Sequence, residues 1–310
     1  MTQPCFHVGI VLASYNCDLT YFKAQIESIQ RQDFPHWTCL ISDDGSTATI
    51  RAGIAAMIEG DRRFIFHPQP HNLGAYHNFE YGVNYFSQKP HITHIAFSDQ
   101  DDIWHLHKLS TLLTAIETNN ALLVHSDLEL IDGQGQLLHP SVWEYEKRVP
   151  EKLDTELLLL RNSVTGCTML MRRSLLPFIL PFPPQSAAGK WYHDHWIALI
   201  AAQQGKIVHL RVPLVQYRQH GHNVVGARKD TGTIHKEIKL WLAKKGRLTL
   251  QSYPVHRDLS HAFYERCGAA LDHWHNPFPA QGINFGFPIV RLGLRSLWQG
   301  YGGQGILLRL

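Results

Sequence analysis

The sequence predicts an α/β fold built on a mainly parallel sheet, and three observations carry that expectation. Strand-like and helix-like stretches alternate along the first hundred residues, as in consecutive βαβ units. The strand-like stretches are short apolar runs suited to burial on both faces. Each is followed by a polar cluster, and ligands bind beyond the carboxyl ends of such strands.

Taken in order, Val8-Gly9-Ile10-Val11-Leu12-Ala13 is the first strand, closed by Ser14-Tyr15-Asn16. From Leu19 to Gln32 the residues Phe22, Ile26 and Ile29 recur at helical spacing, and Asp33-Phe34-Pro35 stops the helix. Trp37–Ser42 is the second strand, followed by Asp43-Asp44-Gly45-Ser46. A helix over Thr49–Ile58, a short strand at Phe64–His67 and the turn His71-Asn72-Leu73-Gly74 come next. Ala75–Phe86 places Phe79, Val83 and Phe86 on one helical face, and His94–Ser98 is the fourth strand.

Composition narrows the function classes. The 310 residues are 44% hydrophobic, enough for a large core. A net charge of +3 is too small to indicate a nucleic-acid binder. Five dispersed cysteines without a C-x-x-C argue for a reducing compartment and against a disulfide framework. The 21 histidines form no zinc-type spacing. The N-terminus carries no secretory signal pattern and no apolar run reaches a membrane span, so a cytoplasmic protein is expected.

Ser98-Asp99-Gln100-Asp101-Asp102 is the most informative stretch. Carboxylates at a strand end are costly without a partner, and a hard cation that bridges acidic side chains to substrate phosphates is a fitting one. The alternative is a solvated acidic turn capping a helix that begins near Trp104. Asp43-Asp44-Gly45-Ser46 can likewise be a turn with a helix cap. Four polar turns at one sheet edge, holding Asp43, Asp44, Asp99, Asp101 and Asp102, favour a binding site.

The order Val11-Leu12-Ala13-Ser14-Tyr15-Asn16, Ile41-Ser42-Asp43-Asp44-Gly45-Ser46, Asn72-Leu73-Gly74 and Phe97-Ser98-Asp99-Gln100-Asp101-Asp102-Ile103-Trp104 resembles the family 2 glycosyltransferases with a GT-A fold. The last string is similar to the branch that includes bacterial rhamnosyltransferases. The resemblance implies that Tyr15, Asp43 and Asp44 bind the base and ribose of a nucleotide sugar, with Asn72 close by and Asn78 a weaker addition. It implies Asp99 at the ribose or donor sugar and Asp101 on a Mn²⁺ or Mg²⁺ ion that offsets charge on the leaving diphosphate. Asp102 stands behind them.

Ala121–Asp127 reads as another strand, Leu130–Leu137 as a turn between extended segments, and Gly166–Met171 as a further strand. In the family a small-residue segment of this last kind lies beside the donor sugar. Trp191-Tyr192-His193-Asp194-His195-Trp196 opens a helix-like run ending at Gly205. Asp194 matches the general base of inverting members, which takes the proton of the acceptor hydroxyl. A helix cap is its other reading, and His193 or His195 is an alternative base. Trp191, Tyr192 and Trp196 offer aromatic faces to acceptor sugar rings, with core packing as the alternative. Ile207–Arg218 is extended and leads to Gln219-His220-Gly221-His222-Asn223. By resemblance Arg218 meets a phosphate and His220 completes the metal site or touches the diphosphate. Residues 223–228 are a candidate segment for closing over the donor.

Residues 228–247 carry seven Lys/Arg against two acids, with Ile234, Ile238, Trp241 and Leu242 at helical spacing. From His273 onward there are no acids, and Phe285–Trp298 mixes apolar with basic residues. Peripheral contact with the inner membrane surface and packing on the catalytic domain are both open there. The expected organisation is a GT-A catalytic domain over residues 1–227 and a helical extension over 228–310. The expected activity is metal-assisted, inverting transfer of a sugar, rhamnose from dTDP-rhamnose first and UDP-hexoses next, to a saccharide or lipid-linked acceptor of bacterial surface polysaccharide. A sugar nucleotidyltransferase would carry a Gly-rich basic loop after the first strand, where Ser14-Tyr15-Asn16-Cys17-Asp18 has no Lys or Arg. A non-catalytic saccharide-binding protein would not need both Asp101 and Asp194.

Overall fold

A computed structural model describes residues 6–152, 154–185, 191–221, 247–268 and Phe278. The chain divides into two compact units. The first comprises Met1–Val142, Val164–Phe182 and Gln204–Ala227; the second comprises Trp143–Ser163, Pro183–Gln203 and Arg228–Leu310.

The first unit holds one sheet. Its strands are β1 (Val8–Ser14), β2 (Trp37–Asp43), β3 (Phe64–Pro68), β4 (His94–Ser98), β5 (Ile103–Trp104), β6 (Leu123–Ile131), β7 (Leu137–His139), β8 (Met169–Arg172) and β9 (Ile207–Arg218). Their order is β3-β2-β1-β4-β8-β6-β9-β5, with β7 on β6. The α/β expectation holds, and β3, β2, β1 and β4 run parallel as the alternation requires. Beyond β4 the sheet is mixed: β8 is antiparallel to β4 and β6, β6 runs parallel to β9, and β5 is antiparallel to β9.

Register decides where the polar clusters meet. Ser14 lies opposite Asp43, Asp43 opposite Pro68, and Leu12 opposite Ser98. Four strands therefore end on one rim.

Helices α1 (Leu19–Gln30), α2 (Ala48–Met57), α3 (Ala75–Ser87) and α4 (Lys108–Thr118) connect these strands. The Asp18 side chain starts α1 by accepting the N–H groups of Thr20 at 2.7 Å and Tyr21 at 3.3 Å. Phe22, Ile26 and Ile29 of α1 are buried, as their spacing predicts. A Cβ added at Gly82 would stand 2.2 Å from a methyl of Val11, so α3 approaches β1 more closely than any side chain there allows. Ile103 and Trp104, expected near the start of a helix, pair instead with Gln216 and Val215 of β9, and α4 begins at Lys108. The long β9 offers ladder groups that a helix at Ile103 would leave unmatched.

In the second unit the helix His193–Gln204 buries nearly its whole circumference, including Trp196, Ile197 and Leu199, as a helix apolar on all faces must. The helix Arg247–Cys267 contains Pro254, which hides it from a periodicity reading. Its Leu259, Phe263 and Cys267 are buried at spacings of four. The basic helix expected around 234–242, the segment 223–228 and the apolar-basic stretch 285–298 lie outside the described residues. Among the described residues no helix is long and apolar enough to cross a membrane.

Candidate functional site

The rim of the first unit gathers most of the expected residues. Tyr15 follows β1, is 48% exposed, and its N–H donates to Gln100 Oε1 at 2.8 Å. Asp43 is fully buried; its carboxylate accepts from Ser14 Oγ at 3.2 Å, from the Ser46 N–H at 3.1 Å and from the Ser46 hydroxyl. Asp44 accepts from the N–H groups of Leu73 at 2.6 Å and Gly74 at 2.9 Å. Burial raises its pKa all the same, with those two hydrogen bonds opposing. Asn72, exposed, donates to the Asp44 carbonyl at 3.2 Å.

These bonds lock the turn after β2 to the turn before α3. Gly45 has a φ of +80°, and a Cβ there would meet the Asn72 nitrogen at 3.1 Å, so glycine is required both for the turn and for the approach. Asn78 is buried and exchanges hydrogen bonds with Ser42, at 2.6 Å to its hydroxyl and 2.9 Å to its carbonyl. Asn78 thus ties α3 to β2, and the weak binding expectation for it gives way to a packing role.

At the end of β4, Asp101 Oδ2 lies 2.7 Å from His220 Nε2. Both side chains are largely buried, at 15% and 17% exposure. Arg218 does not point at open solvent for a phosphate. It is 4% exposed, and its guanidinium donates to the carbonyls of Asp101 at 2.9 Å, Asp132 at 3.1 Å and Gly133 at 3.3 Å. These partners join the end of β4 to the turn after β6, so the expected phosphate contact becomes a positioning role. The Arg218 N–H also donates to Asp102 Oδ1 at 3.2 Å.

Behind this edge, ligand atoms of Asp99, Asp102 and Cys167 lie within 4.8 Å of one another. Burial, with Asp101 and Asp99 adding, pushes the Asp102 carboxyl well above the usual range, and burial raises Cys167 likewise. Lys108 is also fully buried; its Nζ donates to the Cys167 carbonyl at 2.6 Å and stands 3.1 Å from the centre of the Trp104 ring. Burial lowers its pKa to about 7, against the opposing pull of Cys167, Asp102 and Asp99. A protonated thiol is no ligand for Mg²⁺ or Mn²⁺, which take oxygen donors. Asp101 supplies such an oxygen on the rim, and His220 Nε2 lies beside it at hydrogen-bond distance, so a cation that displaced the shared proton would find both groups adjacent.

Asp194 belongs to the second unit. It sits in the first turn of its helix, half-buried, and its Oδ1 accepts from Asn162 Nδ2 at 3.1 Å and from the His195 N–H at 2.6 Å. Its neighbours are held otherwise. His193 is buried and its pKa falls to about 3 for that reason, while His195 Nε2 donates to the Leu158 carbonyl. Of the three aromatics expected at an acceptor, Tyr192 is 42% exposed. Trp196 has no exposed surface and lies 5.4 Å from the Arg266 guanidinium; Trp191 is 3% exposed. Both tryptophans take the core-packing role: Trp196 lies in a helix buried nearly all round, and Trp191, two residues before that helix, is buried as well.

Sequence reasoning passed over Tyr21, Gln100, Lys108 and Asn162. Gln100 lies within the acidic motif and Lys108 six residues after it. Tyr21 precedes the buried Phe22 and carried no periodic signal.

The family model for "Glycosyl transferase family 2" matches residues 9–178. The UDP-Glc:alpha-D-GlcNAc-diphosphoundecaprenol beta-1,3-glucosyltransferase WfgD of Escherichia coli is 29% identical over 180 residues, covering 56% of this chain and 64% of WfgD. The putative teichuronic acid biosynthesis glycosyltransferase TuaG of Bacillus subtilis is 26% identical over 164 residues, covering 53% of this chain and 61% of TuaG. The chain thus spans less than two thirds of either relative. The crystal structure of S. aureus TarS 1-349 in complex with UDP-GlcNAc aligns with a TM-score of 0.56 at 13% identity, covering 86% of this chain and 73% of that one. That likeness is one of fold.

Proposed function

This chain belongs to glycosyl transferase family 2, and on that premise we propose that it moves a sugar from a nucleoside diphosphate donor to a hydroxyl of a saccharide or lipid-linked acceptor in surface-polysaccharide synthesis. The observation that carries the reading is the approach of Asp101 and His220 at 2.7 Å on the rim where β1, β2 and β4 end. Mn²⁺ or Mg²⁺ held there by Asp101 and His220 would offset negative charge on the departing diphosphate. Tyr15, Asp43, Asp44 and Asn72 line or brace the nucleoside side, and Asp99 stands toward the ribose or donor sugar. Arg218 fixes the Asp101 and Asp132 backbones instead of touching phosphate itself.

Asp194 is the proposed base. It removes the proton of the acceptor hydroxyl as that oxygen attacks the anomeric carbon, the bond to the diphosphate breaks, and configuration inverts without a covalent sugar intermediate. The buried His193 and the His195 ring engaged with the Leu158 carbonyl leave Asp194 as the residue suited to this role, and Tyr192 is the aromatic with surface to offer the acceptor. The proposed organisation is a catalytic domain over residues 1–227, of which residues 143–163 and 183–203 group with the extension by contact, and a helical extension over 228–310. Action at the cytoplasmic face of the membrane accords with the lipid-linked acceptor in the name of WfgD.

Two donors are weighed. The string Ser98–Trp104 favours dTDP-rhamnose, and the names of WfgD and of the TarS complex favour a UDP-linked hexose. A panel of nucleotide sugars assayed for hydrolysis and transfer with Mn²⁺ separates them. No turnover of any nucleotide sugar, together with no stabilisation by UDP or dTDP, would overturn the reading.

A further inference from the structure

Tyr21 sits where nothing in the fold of α1 alone requires an aromatic ring. Its backbone N–H is fixed by the Asp18 cap at 3.3 Å, and the next residue, Phe22, supplies the buried contact of that turn. The Tyr21 ring is instead stacked on the His220 imidazole, with centres 5.5 Å apart and planes 26° apart. The Arg218 guanidinium carbon lies 4.5 Å from the centre of the same ring. The phenol oxygen would be 3.0 Å from a Cβ at Gly133, so the missing side chain there leaves room for it. Gly133 in turn gives its carbonyl to Arg218.

His220 stands two residues beyond the end of β9, where the sheet ladder no longer fixes it. The Asp101 carboxylate meets its Nε2 edge and the Tyr21 ring covers one face. A hydrogen bond at one ring nitrogen fixes a direction and not the ring plane, and a stacked face adds a restraint on that plane.

We infer that Tyr21 is a positioning residue that holds the His220 imidazole in the orientation needed to take a divalent cation together with Asp101 and the donor diphosphate. The inference rests on the proposed assignment of that cation to Asp101 and His220. Tyr21 touches neither donor nor cation in this scheme. Partners behind a metal-binding imidazole characteristically change affinity by about 10- to 100-fold when removed.

The test measures Mn²⁺ binding to the full chain with UDP and with dTDP, by titration of the free Mn²⁺ paramagnetic signal and by thermal shift. The proteins are wild type, Tyr21→Leu, Tyr21→Phe, Asp101→Asn and His220→Ala. Tyr21→Leu is expected to weaken Mn²⁺ binding about tenfold, with an unliganded melting temperature close to wild type, and Tyr21→Phe to bind as wild type does. If Tyr21→Leu does not fold, Tyr21→Met serves in its place. Unchanged Mn²⁺ affinity in the Leu or Met variant, or equal losses in Phe and Leu, overturns the role given to the ring. Should Asp101→Asn and His220→Ala also leave Mn²⁺ binding intact, the cation assignment itself fails; if they abolish it while Tyr21→Leu does not, only the inference about Tyr21 falls.

Discussion

Asp101 and His220, 119 residues apart in the chain, meet at 2.7 Å because β5 and β9 pair beside the acidic turn. A carboxylate and an imidazole that share a cation lose activity when the cation is stripped. Transfer is expected to fall to background in excess EDTA and to return with Mn²⁺, read as nucleoside diphosphate released. Activity that persists after exhaustive chelation would detach this pair from catalysis.

Asp194→Asn keeps an oxygen that can accept from Asn162 and from the His195 N–H, so the helix start survives. It cannot take a proton from an alcohol. Sugar transfer is expected to drop by at least about a hundredfold, with UDP or dTDP affinity within about twofold of wild type. Isothermal titration beside an initial-rate assay measures both.

Arg218→Lys retains the charge and loses the fork that reaches three carbonyls. Each charged hydrogen bond removed from a buried group costs about 1.5–3 kcal/mol. Arg218→Lys is therefore expected to lower the urea midpoint clearly, a loss that a residue touching only phosphate would not show.

Gly82→Ala forces a methyl against Val11, which stands 2.2 Å from the added Cβ. Overpacking of this kind costs about 1–3 kcal/mol. Combining it with Val11→Ala is expected to recover part of that loss, so the double-mutant cycle should show a favourable coupling.

His193 contributes a pH dependence to stability. Burial lowers its pKa from 6.5 to about 3, so the unfolded chain binds a proton that the folded one refuses between those values. Stability is therefore lost as pH falls from 6.5 toward 3, by up to about 1.4 kcal/mol per pH unit. In His193→Gln the slope of stability against pH in that window should be shallower by up to one proton, read from urea unfolding followed by tryptophan fluorescence.

The first half of the fold was legible because its signals are local. The runs Val8–Ala13, Trp37–Ser42 and His94–Ser98 sit on β1, β2 and β4 within a residue, and apolar continuity with polar ends is enough to specify a parallel strand. Pairing Asp101 with His220 was legible through the family pattern. Trp196 was misjudged because a helix apolar on every side gives no preferred face. The mixed pairing of β8, β6 and β9 and the assignment of residues 143–163 and 183–203 to the second unit depend on contacts distant in sequence, where no short window carries the information. Tyr21 was invisible for the same reason: its partners lie nearly two hundred residues away.

The shared ending of β1, β2 and β4 gathers the candidate donor residues on one rim, and the connection that enters β3 lies at the other. Gly60, in the connection that enters β3, faces open space. Epitopes or fluorescent peptides grafted there would report on this molecule without intruding on its chemistry, and descendants of this chain are at liberty to lengthen that margin while the opposite one stays fixed.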